Sequence, residues 1–253
     1  MPEGPSIAIL REELEPFAEQ KVISATGNAK IDFTRLKGEK IIEFKSWGKH
    51  FLICFNNFFI RIHLLMFGTY RINERKETEP RLSLKLKKTE INFYTCSVRL
   101  IEGDPNETYD WKTDLMSDQW DAKKVESLVK KLKNTKVCDA LLNQDVFSGS
   151  GNIIKNEVLF RIKLHPECEI QFLPAQKLKE LVKDTHQYSL DFYRWKKAFE
   201  LKKHWQIYKK KECPRCKIKS VTAYLGKTGR LTCYCSNCQF LYKKGKIKNN
   251  EEH

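Results

Sequence analysis

Four cysteines near the C-terminus have the types and spacing of a metal site. Cys213 and Cys216 form one C-x-x-C pair, Cys235 and Cys238 form a second, and eighteen residues separate the pairs. Two such pairs can present four thiolates as a tetrahedron, which is the geometry of a closed, structural Zn²⁺ site. We therefore expect one structural zinc ion, with two small disulfides or unligated thiols as the alternatives. Cys233 could compete with Cys235, but only Cys235 keeps the two-residue gap to Cys238.

The segment between the two cysteine pairs predicts the element that carries them. "TAYLGKTGRLTCY" contains two short apolar runs around a turn at Lys227-Thr228-Gly229, which is typical of a β-hairpin zinc finger. Arg230 then lies near the tip of this hairpin. A guanidinium held there is suited to bidentate contact with a phosphate, although a solvated surface arginine would fit the same pattern.

A glycine-rich turn further upstream is the second candidate for binding anions. Ser148-Gly149-Ser150-Gly151 is followed by Asn152 and an amphipathic run. A glycine-rich turn that leads into a helix exposes backbone N–H groups at the helix N-terminus, which favours an anion. The alternative is that Asn152 only caps its helix.

The charge balance points to nucleic acid as a partner. The chain has 47 Lys and Arg against 32 Asp and Glu, a net charge of +15. From Leu201 to Lys248 there are fourteen Lys or Arg and one acid, Glu212, an excess of 14 − 1 = +13. No signal peptide and no apolar run long enough to span a membrane is present, so we expect a soluble, intracellular protein. A reducing compartment also favours metal ligation over disulfides for the C-x-x-C pairs.

The elements that must position these residues fall into two halves. Residues 21–102 contain short β-type runs, among them "RLSLKLKK" with its period-two alternation, and predict an antiparallel sandwich or barrel-like sheet preceded by a helix at Ser6–Glu15. The stretch "EGDPNETYDWKTDLMSDQWD" is acidic and aperiodic and is interpreted as a linker. Helical patterns follow, one capped by Ser117 or Asp118 and one starting at Pro174.

Four motifs, taken in order, resemble one family that covers essentially the whole chain. They are the N-terminal "PEGP", "WGKHFLICF" followed by "HLLMFG", the segment "NQDVFSGSGNIIKNEVLF", and "TGRLTCYCSNC". This arrangement is similar to the formamidopyrimidine-DNA glycosylases and endonuclease VIII enzymes of base excision repair. The endonuclease VIII branch is the better match.

The resemblance implies a catalytic N-terminus. Removal of Met1 would make Pro2 the terminal residue, and its secondary amine would attack C1′ of the damaged nucleoside, giving a Schiff base (iminium) from which the strand is cleaved by β or β/δ elimination. Such an amine titrates near neutrality. Glu3 would protonate the deoxyribose ring oxygen. The family usually has a second glutamate, which supports the active site, where this chain has Ser6.

The resemblance also implies a set of DNA-binding residues. Lys49 would contact phosphate and assist at the lesion, and Asn152 and Arg230 would hold the phosphates that flank the flipped nucleotide. Met66 and Phe67 would fill the space that the extruded base leaves. Read without the family context, Lys49 is a surface lysine in a turn, and Met66 and Phe67 are more typical of hairpin core.

The resemblance implies an α+β multidomain fold in four segments: a catalytic β-sandwich domain (1–116), a helix-two-turn-helix domain (117–205), a four-cysteine zinc finger (206–245) and a basic, polar tail (246–253). Val98-Arg99-Leu100 replaces the Arg-Arg-Phe of the formamidopyrimidine branch, and the segment before Cys213 is too short for a loop that caps 8-oxoguanine.

Both departures favour oxidised pyrimidines and ring-opened lesions. The expected partner is double-stranded DNA with oxidised bases or abasic sites, bound by a monomer. The alternatives are an 8-oxoguanine or formamidopyrimidine glycosylase, and a catalytically impaired protein that only binds damaged DNA.

Overall fold

The computed structural model describes residues 2–244 and the backbone strand Lys246–Ile247. Met1 and the rest of the predicted tail at 246–253 lie outside the described residues. The chain divides into two compact units, Met1–Trp111 and Lys112–His253. The boundaries predicted for the three folded domains and the tail stay predictions.

The first unit is a short helix followed by eight strands. The elements are α1 (Gly4–Leu14), β1 (Ser24–Thr26), β2 (Glu43–Trp47), β3 (His50–Cys54), β4 (Phe58–His63), β5 (Thr69–Ile72), β6 (Leu82–Lys85), β7 (Glu90–Tyr94), β8 (Ser97–Glu102) and the one-turn helix α2 (Pro105–Thr108). The strands form two four-stranded antiparallel sheets, in the orders β2-β3-β4-β8 and β1-β6-β7-β5.

Alternating side chains pack the two sheets against each other. Phe51 and Ile53 of β3 and Leu84 and Phe93 of the second sheet belong to one buried apolar cluster, and the rings of Phe51 and Phe93 are 5.8 Å apart. The cluster also includes three side chains of α1, which packs on β2 and β3. The apolar face of α1 therefore fixes the N-terminus against the sandwich core.

The second unit is helical and ends in hairpins. It contains α3 (Ala122–Lys131), α4 (Val137–Ala140), α5 (Asn152–Arg161), α6 (Ala175–Lys197), β9 (Val221–Leu225), β10 (Arg230–Tyr234), β11 (Tyr242–Lys243) and β12 (Lys246–Ile247). Short 3₁₀ turns lie in this unit at Ile170–Phe172 and Leu201–His204, in the first unit at Glu15–Phe17 and Phe33–Leu36, and at the boundary at Trp111–Thr113. A buried cluster from α3 to α6 forms its core. The predicted fold class, a sandwich, a helical domain and a cysteine-bearing hairpin, is confirmed.

Two local predictions differ from the structure. Helix α3 is capped by the Asp121 side chain, which accepts hydrogen bonds from the Lys123 and Lys124 N–H groups, so the prediction of Ser117 or Asp118 as cap is wrong. The predicted linker is also folded in part: it contains α2, and Leu115 is fully buried. An acidic composition did not reveal that apolar side chains at its end join the helical core.

Candidate functional site

The N-terminus is held by the first turn of α1. Glu3 is the residue that precedes α1, with extended backbone, and it is 1% exposed. Its carbonyl oxygen accepts hydrogen bonds from the Ser6 N–H at 2.8 Å and the Ile7 N–H at 3.3 Å. Pro2 lies directly before it and is half-buried. The Pro2–Glu3 pair is thus fixed at the end of a helix that is anchored in the core.

Lys49 lies in the tight turn between β2 and β3. Gly48 has φ 54°, the left-handed region that favours glycine, and this lets the chain reverse in two residues. Next to the turn, the rings of His50 and His63 are 5.5 Å apart on neighbouring strands. Burial, and then the charge of Arg61, lowers the pKa of His50 to about 4, and burial lowers that of His63. Both imidazoles are therefore neutral near pH 7, and the positive charge of the turn resides on Lys49.

The turn between β4 and β5 exposes apolar side chains. Met66 is 50% exposed and Phe67 is 75% exposed, so neither belongs to the hairpin core. The Gly68 N–H donates to the Leu64 carbonyl at 2.7 Å, and a Cβ at Gly68 would lie 2.1 Å from the same oxygen. The tightness of this turn requires glycine and directs both large side chains into solvent.

In the second unit, the glycine-rich turn ends at the N-terminus of α5. Gly151 precedes the helix and Asn152 is its first residue, 8% exposed. Within the described residues, the buried Oδ1 of Asn152 and the buried Oγ of Ser150 have no hydrogen-bond partner. Buried polar atoms are normally paired, and a helix N-terminus favours an anion. The Ser150 hydroxyl and the N-terminus of α5 can therefore donate to a bound anion such as a phosphate, whereas the Asn152 Oδ1 only accepts and would take a donor group instead.

The hairpin that carries Arg230 is tied to α4 by one carboxylate. Asp139 accepts hydrogen bonds from the Lys227 N–H at 2.9 Å, the Thr228 N–H at 3.1 Å and the Thr228 hydroxyl at 2.9 Å. Gly226 has φ +74°, and a Cβ there would lie 2.4 Å from an Asp139 oxygen. The close approach of the turn to α4 therefore requires glycine at this position. Arg230 begins β10, opposite Leu225.

Helix α5 holds the same hairpin from its other end. The buried Lys155 ammonium donates to the Leu231 carbonyl at 3.0 Å and to the Thr232 hydroxyl at 2.9 Å. Asn156 accepts from the Cys233 N–H at 2.6 Å and donates to the Asn152 carbonyl at 2.6 Å. Burial lowers the pKa of Lys155 to about 8. Asn156 thus bonds directly to both the helix turn of Asn152 and the strand that begins with Arg230.

The next residue of α5, Glu157, fixes the segment that leads to the cysteines. Its buried carboxylate accepts from the backbone N–H groups of residues 206, 207 and 208 at 2.9, 3.0 and 2.7 Å. Burial raises its pKa, while these three donors oppose that shift. Sequence reasoning missed Asp139 and the run Lys155-Asn156-Glu157. Three consecutive polar residues inside an otherwise apolar helix were the available signal.

The four predicted cysteine ligands form one cluster. The sulfur atoms of Cys213, Cys216, Cys235 and Cys238 all lie within 4.8 Å of one another. Cys233 is not part of the cluster: it is buried, and its sulfur accepts a hydrogen bond from the Lys209 N–H. Four thiolates at tetrahedral spacing suit a soft divalent metal, so the cluster could bind a metal ion.

The structure thus places the predicted residues in two groups. Pro2, Glu3, Lys49, Met66 and Phe67 lie in the first unit, and Asn152, Arg230 and the four cysteines lie in the second. Within the second unit, one hydrogen-bond network joins the helix turn of Asn152, the strand of Arg230 and the segment that leads to the cysteine cluster.

Comparison with known proteins finds family matches in both units. The formamidopyrimidine-DNA glycosylase N-terminal domain matches residues 1–101, and the formamidopyrimidine-DNA glycosylase H2TH domain matches residues 113–189. The chain belongs to the formamidopyrimidine-DNA glycosylase and endonuclease VIII family. The helix-two-turn-helix match contains Asp139, Asn152 and the buried polar run of α5.

The chain covers a different share of each relative's length. Mouse endonuclease 8-like 3 is 35% identical over 201 residues, which is 76% of this chain and 33% of that protein. The formamidopyrimidine-DNA glycosylase of Lactobacillus helveticus is 26% identical over 284 residues, 96% of this chain and all of that protein. The chain thus spans about a third of the length of the endonuclease 8-like 3 relatives it matches.

A solved structure shows the same fold. The Lactococcus lactis formamidopyrimidine-DNA glycosylase, non-covalently bound to DNA with an abasic site, superposes with a TM-score of 0.82 at 24% identity and covers 94% of this chain and 99% of that one. Among the residues that our structure describes, no helix is both long and apolar enough to cross a membrane.

Proposed function

We propose that this chain is a bifunctional DNA glycosylase and AP lyase that removes oxidised bases from double-stranded DNA as a monomer. With Met1 removed, the Pro2 nitrogen attacks C1′, the bond from C1′ to the base breaks, and the base leaves with that electron pair. Proton loss from the Pro2 amine and ring opening at O4′ leave an iminium. The iminium accepts the electrons released when the C2′ proton is lost, so the 3′ phosphate leaves, and loss of the C4′ proton then expels the 5′ phosphate.

The observation that carries this proposal is the position of Glu3. A carboxyl group that is 1% exposed lies one residue from the amine and at the anchored start of α1, so its place relative to Pro2 is fixed by the fold. A general acid for O4′ has to reach the sugar that the amine attacks, so a carboxyl group one residue from the amine supports this role for Glu3. Ser6 contributes its backbone N–H to the Glu3 carbonyl, so the turn does not depend on the missing glutamate side chain.

The proposed DNA contacts follow from charge and exposure. Lys49 supplies a cation in a rigid turn, and Asn152 and Arg230 supply an amide at a helix N-terminus and a guanidinium on a fixed strand. In the first unit Lys49 would contact a phosphate, and in the second unit Asn152 and Arg230 would hold the phosphates that flank an extruded nucleotide. The exposed side chains of Met66 and Phe67 would then replace the lost stacking.

We further propose that the cysteine cluster holds one structural Zn²⁺. The four thiolates fill all four tetrahedral positions, so such an ion has no open position for substrate. Its contribution would be to close the finger at the base of the β9–β10 hairpin. The tip of the hairpin, near Arg230, is positioned by protein side chains and not by the ion, chiefly by Asp139, Lys155 and Asn156.

Two features favour oxidised pyrimidines and ring-opened lesions. Strand β8 contains Val98, Arg99 and Leu100, each paired with a β4 residue. These residues therefore cannot form a loop that inserts into the DNA duplex. The void-filling role then falls on Met66 and Phe67. The segment 198–212 between α6 and Cys213 is short, and the Glu157 carboxylate holds the backbone of residues 206–208, which argues against a long mobile loop that caps a purine lesion.

A lesion panel with matched variants tests the proposal. Single-turnover cleavage is measured on duplexes with thymine glycol, 8-oxoguanine or an abasic site, using the wild type, Glu3→Gln and the exposed control Glu15→Gln. We expect thymine glycol to be cut faster than 8-oxoguanine, and Glu3→Gln to lower the rate at least about 100-fold because a general acid is lost. Faster cutting of 8-oxoguanine would support a purine glycosylase instead. Binding without cleavage of any duplex would support the catalytically impaired alternative.

A further inference from the structure

The β9–β10 hairpin has a second exposed face that the proposed lesion site does not use. Directly paired residues share a face, so Leu225 and Arg230 lie on one side together with Thr232, which the buried Lys155 of α5 contacts. Tyr224 lies on the opposite side, beside Leu231. Its ring is 76% exposed, although tyrosine normally buries much of its apolar surface.

A lysine-lined cleft adjoins this face. Thr222, two residues before Tyr224 and on the same side of β9, lines a surface cleft of about 700 Å³. Its other lining residues include Lys209, Lys210, Lys211, Lys219 and Glu212. Four cations against one carboxylate leave an excess of 4 − 1 = +3. Among the described residues, no ion pair joins any of these four lysines to a carboxylate.

The backbone around the cleft is fixed, so the lysines surround one place. The Lys209 N–H donates to the Cys233 sulfur, directly across from Thr222. The Ser220 N–H donates to the Lys211 carbonyl at 3.0 Å, and the Ser220 hydroxyl donates to the Lys210 carbonyl. The lysines therefore extend from two segments that are bonded to each other and to the hairpin.

We propose that this face, defined by Tyr224, Thr222 and the lysine cleft, binds a segment of single-stranded DNA. A basic groove that follows the backbone, next to an exposed aromatic ring on which a base can stack, is the combination that single-strand binders use. The bases of a duplex are already stacked on each other, so the Tyr224 ring selects unpaired nucleotides. The surface includes none of the residues assigned to lesion removal and lies on the side of the hairpin opposite Arg230.

The test uses the full chain and an undamaged, fluorescein-labelled dT20 strand. Fluorescence anisotropy gives its Kd for the wild type, Tyr224→Ala, Tyr224→Phe and Lys210→Ser/Lys219→Ser. The matched control is Lys179→Ser/Lys183→Ser, which removes two exposed lysines from α6. Zinc content and circular dichroism confirm that each variant is folded.

We expect Tyr224→Ala to weaken dT20 binding about fivefold or more, and Tyr224→Phe to restore it because the ring is retained. The cleft double variant should lower the slope of log Kd against log salt by about 1.4, since each lost phosphate contact on a single strand contributes about 0.7. The control should change neither quantity by as much.

Three results would overturn the inference. The first is an unchanged Kd in Tyr224→Ala, and the second is a change in the control pair as large as that in the cleft double variant. The third is competition by poly-glutamate that is as effective as competition by unlabelled dT20, which would make the face a site for acidic protein. Cleavage of a thymine glycol duplex is measured in parallel. If neither the wild type nor any variant cleaves this duplex, but Tyr224→Ala still weakens dT20 binding, the proposed glycosylase activity is contradicted and the proposed single-strand surface is supported.

Discussion

The carboxylate of Asp139 offers a sharp test of how the hairpin tip is positioned. Asp139→Ala removes the acceptor for three hydrogen bonds, from two backbone N–H groups and one hydroxyl in the turn before Arg230. A hydrogen bond to a charged group contributes about 1.5–3 kcal/mol, but Lys227 and Thr228 are exposed and water can replace most of each bond. We therefore expect the free energy of unfolding to fall by about 1–2 kcal/mol in total.

The effect on DNA should pass through Arg230. If the freed turn weakens one phosphate contact by about 1.4 kcal/mol, Kd for a duplex with a tetrahydrofuran abasic analogue rises about tenfold. Asp139→Asn keeps an acceptor oxygen, so its DNA affinity should fall less than that of Asp139→Ala. The control is Asp118→Ala, which removes an exposed negative charge from the same unit. By charge alone, this removal would strengthen DNA binding, because a carboxylate repels the phosphates.

A double-mutant cycle separates positioning from general destabilisation. In an Arg230→Ala background, Asp139→Ala should cost almost nothing further in Kd, because the contact it supports is already gone. An undiminished tenfold loss in that background would refute the reasoning, as would a wild-type Kd in Asp139→Ala itself.

Three further predictions concern the metal, the exposed turn and pH. If the cluster holds one zinc ion, the wild type should contain one equivalent, Cys235→Ser should lose it and Cys233→Ser should retain it. Mass spectrometry of the metal content measures this, and equal loss in both variants would contradict the proposed ligand set. Phe67→Ala should leave the melting temperature unchanged because the ring is 75% exposed, yet slow single-turnover base excision about tenfold; an unchanged rate would exclude a wedge. The folded His50 has a pKa of about 4, below the usual 6.5, so the unfolded chain binds more protons between these values and stability falls as pH drops through that window. His50→Gln should therefore flatten the decline of urea stability between pH 6.5 and 5; an identical slope would contradict the burial of a neutral imidazole.

Much of the fold followed from periodicity in the sequence. The alternation in "RLSLKLKK" predicted a strand, and β6 (Leu82–Lys85) lies there with Leu82 and Leu84 buried, although Ser83 is buried as well. The cysteine spacing predicted the cysteine cluster, and the apolar runs between the pairs predicted the hairpin. Both signals are local, because a strand face and a C-x-x-C turn are each set by residues close in sequence. The cap of α3 was less predictable, since Ser117, Asp118 and Asp121 are all competent capping residues and tertiary packing chooses among them.

The polar run of α5 was visible in the sequence, but the distant segments that it bonds to were not. Lys155, Asn156 and Glu157 resemble a solvated stretch of helix, yet all three are buried. They are tolerated there because the partner segments, distant in sequence, bring backbone donors and acceptors to meet them. Met66 and Phe67 show the converse, since an apolar pair that suggested core is directed outward by the constraint of Gly68.

The most direct test of the central claim is borohydride trapping on a thymine glycol duplex, followed by peptide mapping. If the Pro2 amine is the nucleophile, reduction yields a covalent protein–DNA adduct whose cross-link maps to Pro2, and a variant that retains an N-terminal extension before Pro2 gives no adduct and no strand cleavage. An adduct that maps elsewhere, or full cleavage by the extended variant, would contradict the account.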